Sequence, residues 1–100
     1  MDNKICPKFE YAAKMLSKKW ASLIIYQMLN GAKRFSDFQK DTTVSAKVLS
    51  ERLKEFEKEG IINRKIYPET PVRIEYSLTK KGTSLAPIID ALGEWSSSWL

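Results

Sequence analysis

The sequence predicts a mainly helical α+β fold with one small β-hairpin, and three observations carry that prediction. Apolar residues recur at helical spacing before residue 60 and again after residue 80. Residues 72–78 alternate strictly between apolar and polar, the period of a strand. Within residues 34–79 a short helix, a tight turn, a second helix and a basic hairpin follow one another. That order describes a winged helix-turn-helix, which sets one helix in the DNA major groove and a hairpin beside it. The helix-turn-helix spans about residues 35–59 and the wing residues 61–78, with flanking dimerisation helices over about 7–16 and 80–100.

The first helix begins at Pro7 with Cys6 at its N-cap, because proline suits the first helical position. Phe9, Ala12, Ala13 and Leu16 give it one apolar face. A second helix over about residues 18–29 carries Trp20, Leu23, Ile24 and Met28 at helical spacing, and Asn30 with Gly31 ends it. Ser36 and Gln39 have the spacing of a capping box, so the third helix should start there and stop near Asp41. Thr42 and Thr43 make the turn, and Ser45 caps the fourth helix. Ala46, Leu49, Leu53 and Phe56 share one face of that helix; Lys47, Ser50, Glu51, Lys54 and Lys58 share the other. Gly60 stops it in a left-handed cap.

Residues 61–67 read as a strand, and Pro68 and Pro71 bound a turn. The alternation that follows should bury Val72, Ile74, Tyr76 and Leu78. Thr79 caps a last helix bearing Leu85, Ile88, Ile89, Leu92, Trp95 and Trp99, which Pro87 should kink by removing one internal hydrogen bond.

The 100 residues are 43% hydrophobic and 29% charged, a composition suited to one domain over residues 1–100. Five lysines among the first twenty residues argue against a signal peptide. The longest apolar stretch, residues 21–29, is broken by Ser22 and Gln27 and is too short to span a bilayer. One cysteine cannot form an internal disulfide, which fits a reducing cytoplasm. With no histidine, Gly-rich phosphate loop or metal-ligand cluster, neither an enzyme nor a metal or cofactor site is expected.

The net charge of +5 and pI of about 9.4 favour an anionic partner. The charge is uneven. Residues 61–82 hold five basic and two acidic side chains, whereas residues 83–100 hold two acidic and no basic ones. The basic hairpin is the part suited to a phosphate backbone.

The fourth helix is the candidate recognition helix. Ser45, Lys47, Ser50, Glu51, Arg52 and Lys54 occupy its first turns, and the run from Glu55 to Glu59 is acidic. A helix entering a groove by its N-terminal turns needs this polarity, because phosphate repels the acidic end. Lys47, Ser50 and Glu51 are the candidates for reading bases. Arg64, Lys65 and Arg73 on the hairpin are placed for phosphates or an adjacent minor groove. Arg34 and Ser36 could hold phosphate through a guanidinium and a helix N-terminus.

The chain resembles the HxlR-type transcription regulators, relatives of the MarR group. The resemblance rests on Cys6 with Pro7, Lys19 with Trp20, Lys33 with Arg34 and Phe35, and the run from Leu53 to Glu57. Gly60 with Ile61, the turn at residues 68–71, Glu75 with Tyr76, Leu78 with Thr79 and a late tryptophan complete it. It covers nearly the whole chain. It implies a homodimeric bacterial repressor on a near-palindromic double-stranded DNA operator. The start, with Met1 five residues before Cys6, is most similar to the branch that senses quinones and other electrophiles.

Cys6 precedes Pro7 at the predicted start of a helix, whose positive end stabilises a thiolate, and Lys4 and Lys8 add positive charge nearby. The residue is either a reactive thiol or a small apolar one; the resemblance favours the first. Some relatives pair this cysteine with a further one across the dimer, which a chain with one cysteine lacks. S-alkylation by a quinone, a mixed disulfide with a small thiol, or a bond between two Cys6 residues remains. Phe9, Tyr11 and Trp20 could line a site for a flat electrophile or simply belong to the core.

Leu85, Ile88, Ile89, Leu92, Trp95 and Trp99 exceed what one small core needs, which marks the last helix as a dimer interface. A two-fold dimer would set two recognition helices about 34 Å apart, one turn of DNA. Rival readings are a winged helix used for protein–protein contact, an architectural DNA binder without thiol sensing, and a one-cysteine peroxidase.

Overall fold

The computed structural model describes residues 4–100; Met1 of the start motif lies outside them. In chain order the described elements are α1 (Pro7–Ser17), α2 (Ala21–Met28), α3 (Phe35–Lys40), α4 (Ala46–Lys58), β1 (Ile62–Tyr67), β2 (Arg73–Leu78), α5 (Lys80–Thr83) and α6 (Ala86–Trp99). This is a winged helix-turn-helix: α3, a turn and α4, followed by an antiparallel hairpin.

Local chemistry sets the boundaries of α4. Ser45 Oγ accepts the Val48 N–H at 3.1 Å, satisfying one of the free amides of the first turn. At the other end Gly60 takes φ of 73°, its N–H donates to Glu57 O, and the Ile61 N–H donates to Phe56 O. That pair is a Schellman cap, and the left-handed residue at its centre favours glycine.

The core is one cluster. Ile24, Ile25 and Met28 of α2 meet Phe38 of α3, Leu49, Leu53 and Phe56 of α4, and Ile61 and Ile62 at the wing root. The hairpin pairs Ile62 with Leu78 through to Tyr67 with Arg73. Lys33 adds a one-residue third rung, exchanging 2.8 Å backbone hydrogen bonds with Tyr76. That rung fixes the entry to α3 against the wing. Periodicity gives no sign of it, because it joins residues 43 apart in sequence.

Several expectations are corrected. The third helix starts two residues earlier than the capping box implied: Arg34 rather than Ser36 is the N-cap, and its N–H donates to Asp37 Oδ2 at 2.8 Å. Asp37, rather than Ser36 with Gln39, closes the cap. The last helix is not kinked but split. Thr79 caps the single turn of α5, and Pro87 sits in the first turn of a new helix, where a missing N–H leaves no acceptor unsatisfied. Val72 is 57% exposed, because β2 begins one residue later, and Ala46 is exposed on α4.

Among the described residues α1 buries no side chain and α6 buries Ile89 alone, so both helices lie largely outside the core. No described helix is long and apolar enough to cross a membrane.

Candidate functional site

The outer face of α4 and the hairpin form one continuous surface. Lys47, Glu51 and Lys54 are exposed on α4, with Ser45 at its cap and Ser50 half-buried. Ser50, Lys54 and Arg64 share a concavity of about 350 Å³ between α4 and the wing, with the Glu57 carboxylate on its lining beside the two cations and Leu53 and Tyr76 completing it. Two elements that sequence reading could only name separately thus place a hydroxyl, an ammonium and a guanidinium around one groove. A duplex backbone passing between the two elements would meet all three.

On the wing, Arg64 and Lys65 are exposed, and Lys65 Nζ lies 4.9 Å from the Tyr67 ring centre. Arg73 behaves differently. Its guanidinium stacks 3.9 Å over Tyr67 and is flanked by Glu69 at 3.1 Å and Glu75 at 3.2 Å. Two carboxylates answer its charge, so Arg73 braces the hairpin tip, and the exposed basic groups of the strands are Arg64 and Lys65.

Arg52 also departs from the predicted reading face. Its Nε donates to the Lys19 carbonyl at 2.9 Å and its Nη1 lies 3.4 Å from Glu55. Its side chain is turned toward the α1–α2 corner and away from the exposed groups of α4. Sequence shows the charge but not a partner 33 residues away.

At α3, Arg34 and Ser36 are exposed, but the helix N-terminus is already filled by the Asp37 carboxylate. The Arg34 backbone N–H, and then Lys40 and Lys33, hold that carboxyl below its ordinary pKa. A second anion at the same amides would meet a resident negative charge. The Arg34 guanidinium is the part left for a phosphate.

Cys6 is exposed and forms the N-cap of α1. The backbone N–H groups of Phe9 and then Lys8 face its sulfur and lower its pKa, with desolvation opposing weakly, although neither closes a capping hydrogen bond. The leading cause is the amides of the first turn, the positive helix end that the sequence suggested.

Phe9 and Tyr11 are exposed, the Tyr11 hydroxyl donates to Glu59, and Trp20 packs against the core. The three therefore do not gather into one apolar pocket within the chain. Of the residues expected at a dimer interface, Ile88, Leu92, Trp95 and Trp99 are exposed. Ile89 is 5% exposed and already belongs to the chain's own core, and Leu85 is half-buried against that core. Among the described residues no cluster of three or more His, Cys, Asp or Glu could hold a metal ion.

Comparison with known proteins bears on this arrangement. The HxlR-like helix-turn-helix family profile matches residues 15–100. An uncharacterised HTH-type transcriptional regulator of Bacillus subtilis, YvaP, is 52% identical over 99 residues, covering 98% of this chain and 92% of that protein. The reduced form of the B. subtilis transcriptional regulator YodB superimposes with a TM-score of 0.83 at 40% identity, covering 96% of this chain and 95% of that one. The quinone-bound form of YodB gives 0.81 at 35% identity, covering 95% of this chain and 100% of that one.

Proposed function

Since the chain belongs to the HxlR-like helix-turn-helix family of transcriptional regulators, we propose that it is a homodimeric DNA-binding repressor released from its operator when an electrophile modifies Cys6. The observation that carries this reading is the joint surface of α4 and the wing, where Ser50, Lys54 and Arg64 converge. Lys47, Glu51 and Lys65 extend it on either side. Phosphate contacts by Arg34, Lys54, Arg64 and Lys65 would supply affinity and make it salt-sensitive; Lys47, Ser50 and Glu51 would read base edges.

Sensing rests on the exposed, amide-stabilised thiol of Cys6 and on the likeness to a regulator whose structure has been solved with a quinone bound. The Cys6 thiolate adds to a ring carbon of a quinone. A carbon–sulfur bond forms, the ring electrons move onto the quinone oxygens, and protonation leaves an S-linked hydroquinone with no leaving group and no added oxidant. The exposed faces of α1 and α6 are proposed to pair with a second copy, which places the adduct beside the join between two reading heads. A repressor of this kind works on the chromosome, in the cytoplasm.

The decisive variant is Cys6→Ser. DNA selected by the protein from a random pool should be bound by wild type and variant alike, and benzoquinone should release only the wild type. Intact-mass spectrometry of the same samples reports the adduct. Release of the Cys6→Ser protein by benzoquinone would sink the sensing reading.

A further inference from the structure

The acidic end of α4 is not simply a solvated face turned from DNA. Glu55 and Glu59 at that end, with Arg52 one turn before, hold α1 and the corner that follows it. The Tyr11 hydroxyl donates to Glu59, and Lys18 Nζ lies 3.3 Å from Glu55. Arg52 links Glu55 to the Lys19 carbonyl at 2.9 Å. These contacts join residues 33 to 48 positions apart and run along the whole C-terminal half of the candidate recognition helix.

The corner they hold has an unusual backbone. Trp20 adopts φ of 71°, a left-handed conformation that is rare for a bulky residue and persists only where its surroundings over-determine it. The surroundings do so here. Ala21 N–H donates to Lys18 O at 3.0 Å, Ser22 Oγ donates to Leu16 O at 2.8 Å, and Arg52 takes the carbonyl between them. The direction in which α1 leaves the corner is therefore referenced to α4. In α1 only Met15 and Leu16, next to the corner, pack against the core and no side chain is fully buried, so the polar contacts add to a packing thinner than that of α2.

We propose that Arg52, Glu55 and Glu59 are positioning residues forming a polar latch with Tyr11, Lys18 and the Lys19 carbonyl, through which the orientation of α1 sets the pitch of the recognition helix. The latch gives the proposed regulation a physical route, and it rests on that reading only for its second arm. A shift at the start of α1 turns α1 about the Trp20 corner, and the latch carries the turn into α4 rather than letting α1 swing alone.

Two measurements test it. In the first, Arg52→Met and the exposed pair Tyr11→Phe with Lys18→Met are titrated with selected DNA across a salt series. A positioning role lowers affinity several-fold while leaving the slope of log affinity against log salt unchanged. An Arg52 that touches phosphate instead lowers the slope by about 0.9, and that result, or unchanged affinity in every variant, overturns the latch.

In the second, DNA-saturated wild type and the Tyr11→Phe/Lys18→Met protein receive benzoquinone, with adduct formation read by intact mass and folding by thermal midpoint. The expected result is an equal adduct yield and an unchanged midpoint, with release of the wild type only. Release of both proteins overturns the latch and leaves the sensing reading intact. An adduct that fails to release wild type overturns the sensing reading, and the salt series then decides the latch alone.

Discussion

The lowered pKa of Cys6 follows from where α1 begins. Pro7 fixes the first turn, and the amides of Phe9 and Lys8 are left facing a sulfur with no intrahelical carbonyl to bind. Only the thiolate attacks an electrophile, and the folded chain favours the thiolate, so alkylation should reach half its limiting rate at a lower pH in the folded chain than in the unfolded one. Adduct formation with a maleimide between about pH 5 and pH 9, in buffer and in urea, checks this against the ordinary thiol value of about 8.5. Coincident curves would show that the helix start does not act on the sulfur. At this scale the sequence was legible wherever a side chain works through its immediate neighbours, as Cys6 does. It misleads at Arg52, whose partner lies at a corner 33 residues away, and at Arg73, whose charge is answered by Glu69 in the turn and Glu75 on the same strand. A residue type announces what it can bond to, not which partner the fold delivers.

Elements were readable where their ends are closed by nearby chemistry. Ser45 and Gly60 delimit α4 as their types require, and strict alternation marks β2. Ser36 failed because Asp37, one residue on, offers a stronger charged acceptor to the Arg34 N–H. Lys33 was invisible as a rung because its partner is Tyr76. The junction between wing and α5 shows a constraint of the same long-range kind. Gly82 is buried, and a Cβ there would stand 2.1 Å from the Ile61 carbonyl oxygen, the acceptor of the Thr79 N–H. Leu78 Cδ2, at 3.0 Å, can turn aside, but the Ile61 carbonyl is backbone and cannot. Gly82→Ala should lower unfolding free energy by about 1–3 kcal/mol, the range for overpacking a tight site. Urea denaturation measures it, and an unchanged midpoint would mean the junction can open without loss.

As a whole the molecule is long rather than round, 61 × 30 × 24 Å with a radius of gyration of 15.1 Å, against about 13 Å for a compact chain of this length. The excess lies in α1 and α6, which carry Phe9, Ile88, Leu92, Trp95 and Trp99 uncovered. Trp95, 55% exposed in the middle of the α6 run, is the side chain to remove. A charge there should keep the helix but prevent pairing. Trp95→Glu is expected to sediment as a monomer with unaltered helical circular dichroism and to bind a two-half-site DNA at least tenfold more weakly, since one head then holds one half-site. A dimer that survives the substitution would place the interface elsewhere.

The thin anchorage of α6, held to the core by Ile89, has a consequence for the cell. If pairing covers what folding leaves bare, assembly and folding share one equilibrium, and apparent stability rises with concentration by mass action. A scarce chain would spend more time open and available to proteases. Abundance would then set lifetime, and the pool of this regulator should fall faster than in proportion when its synthesis slows.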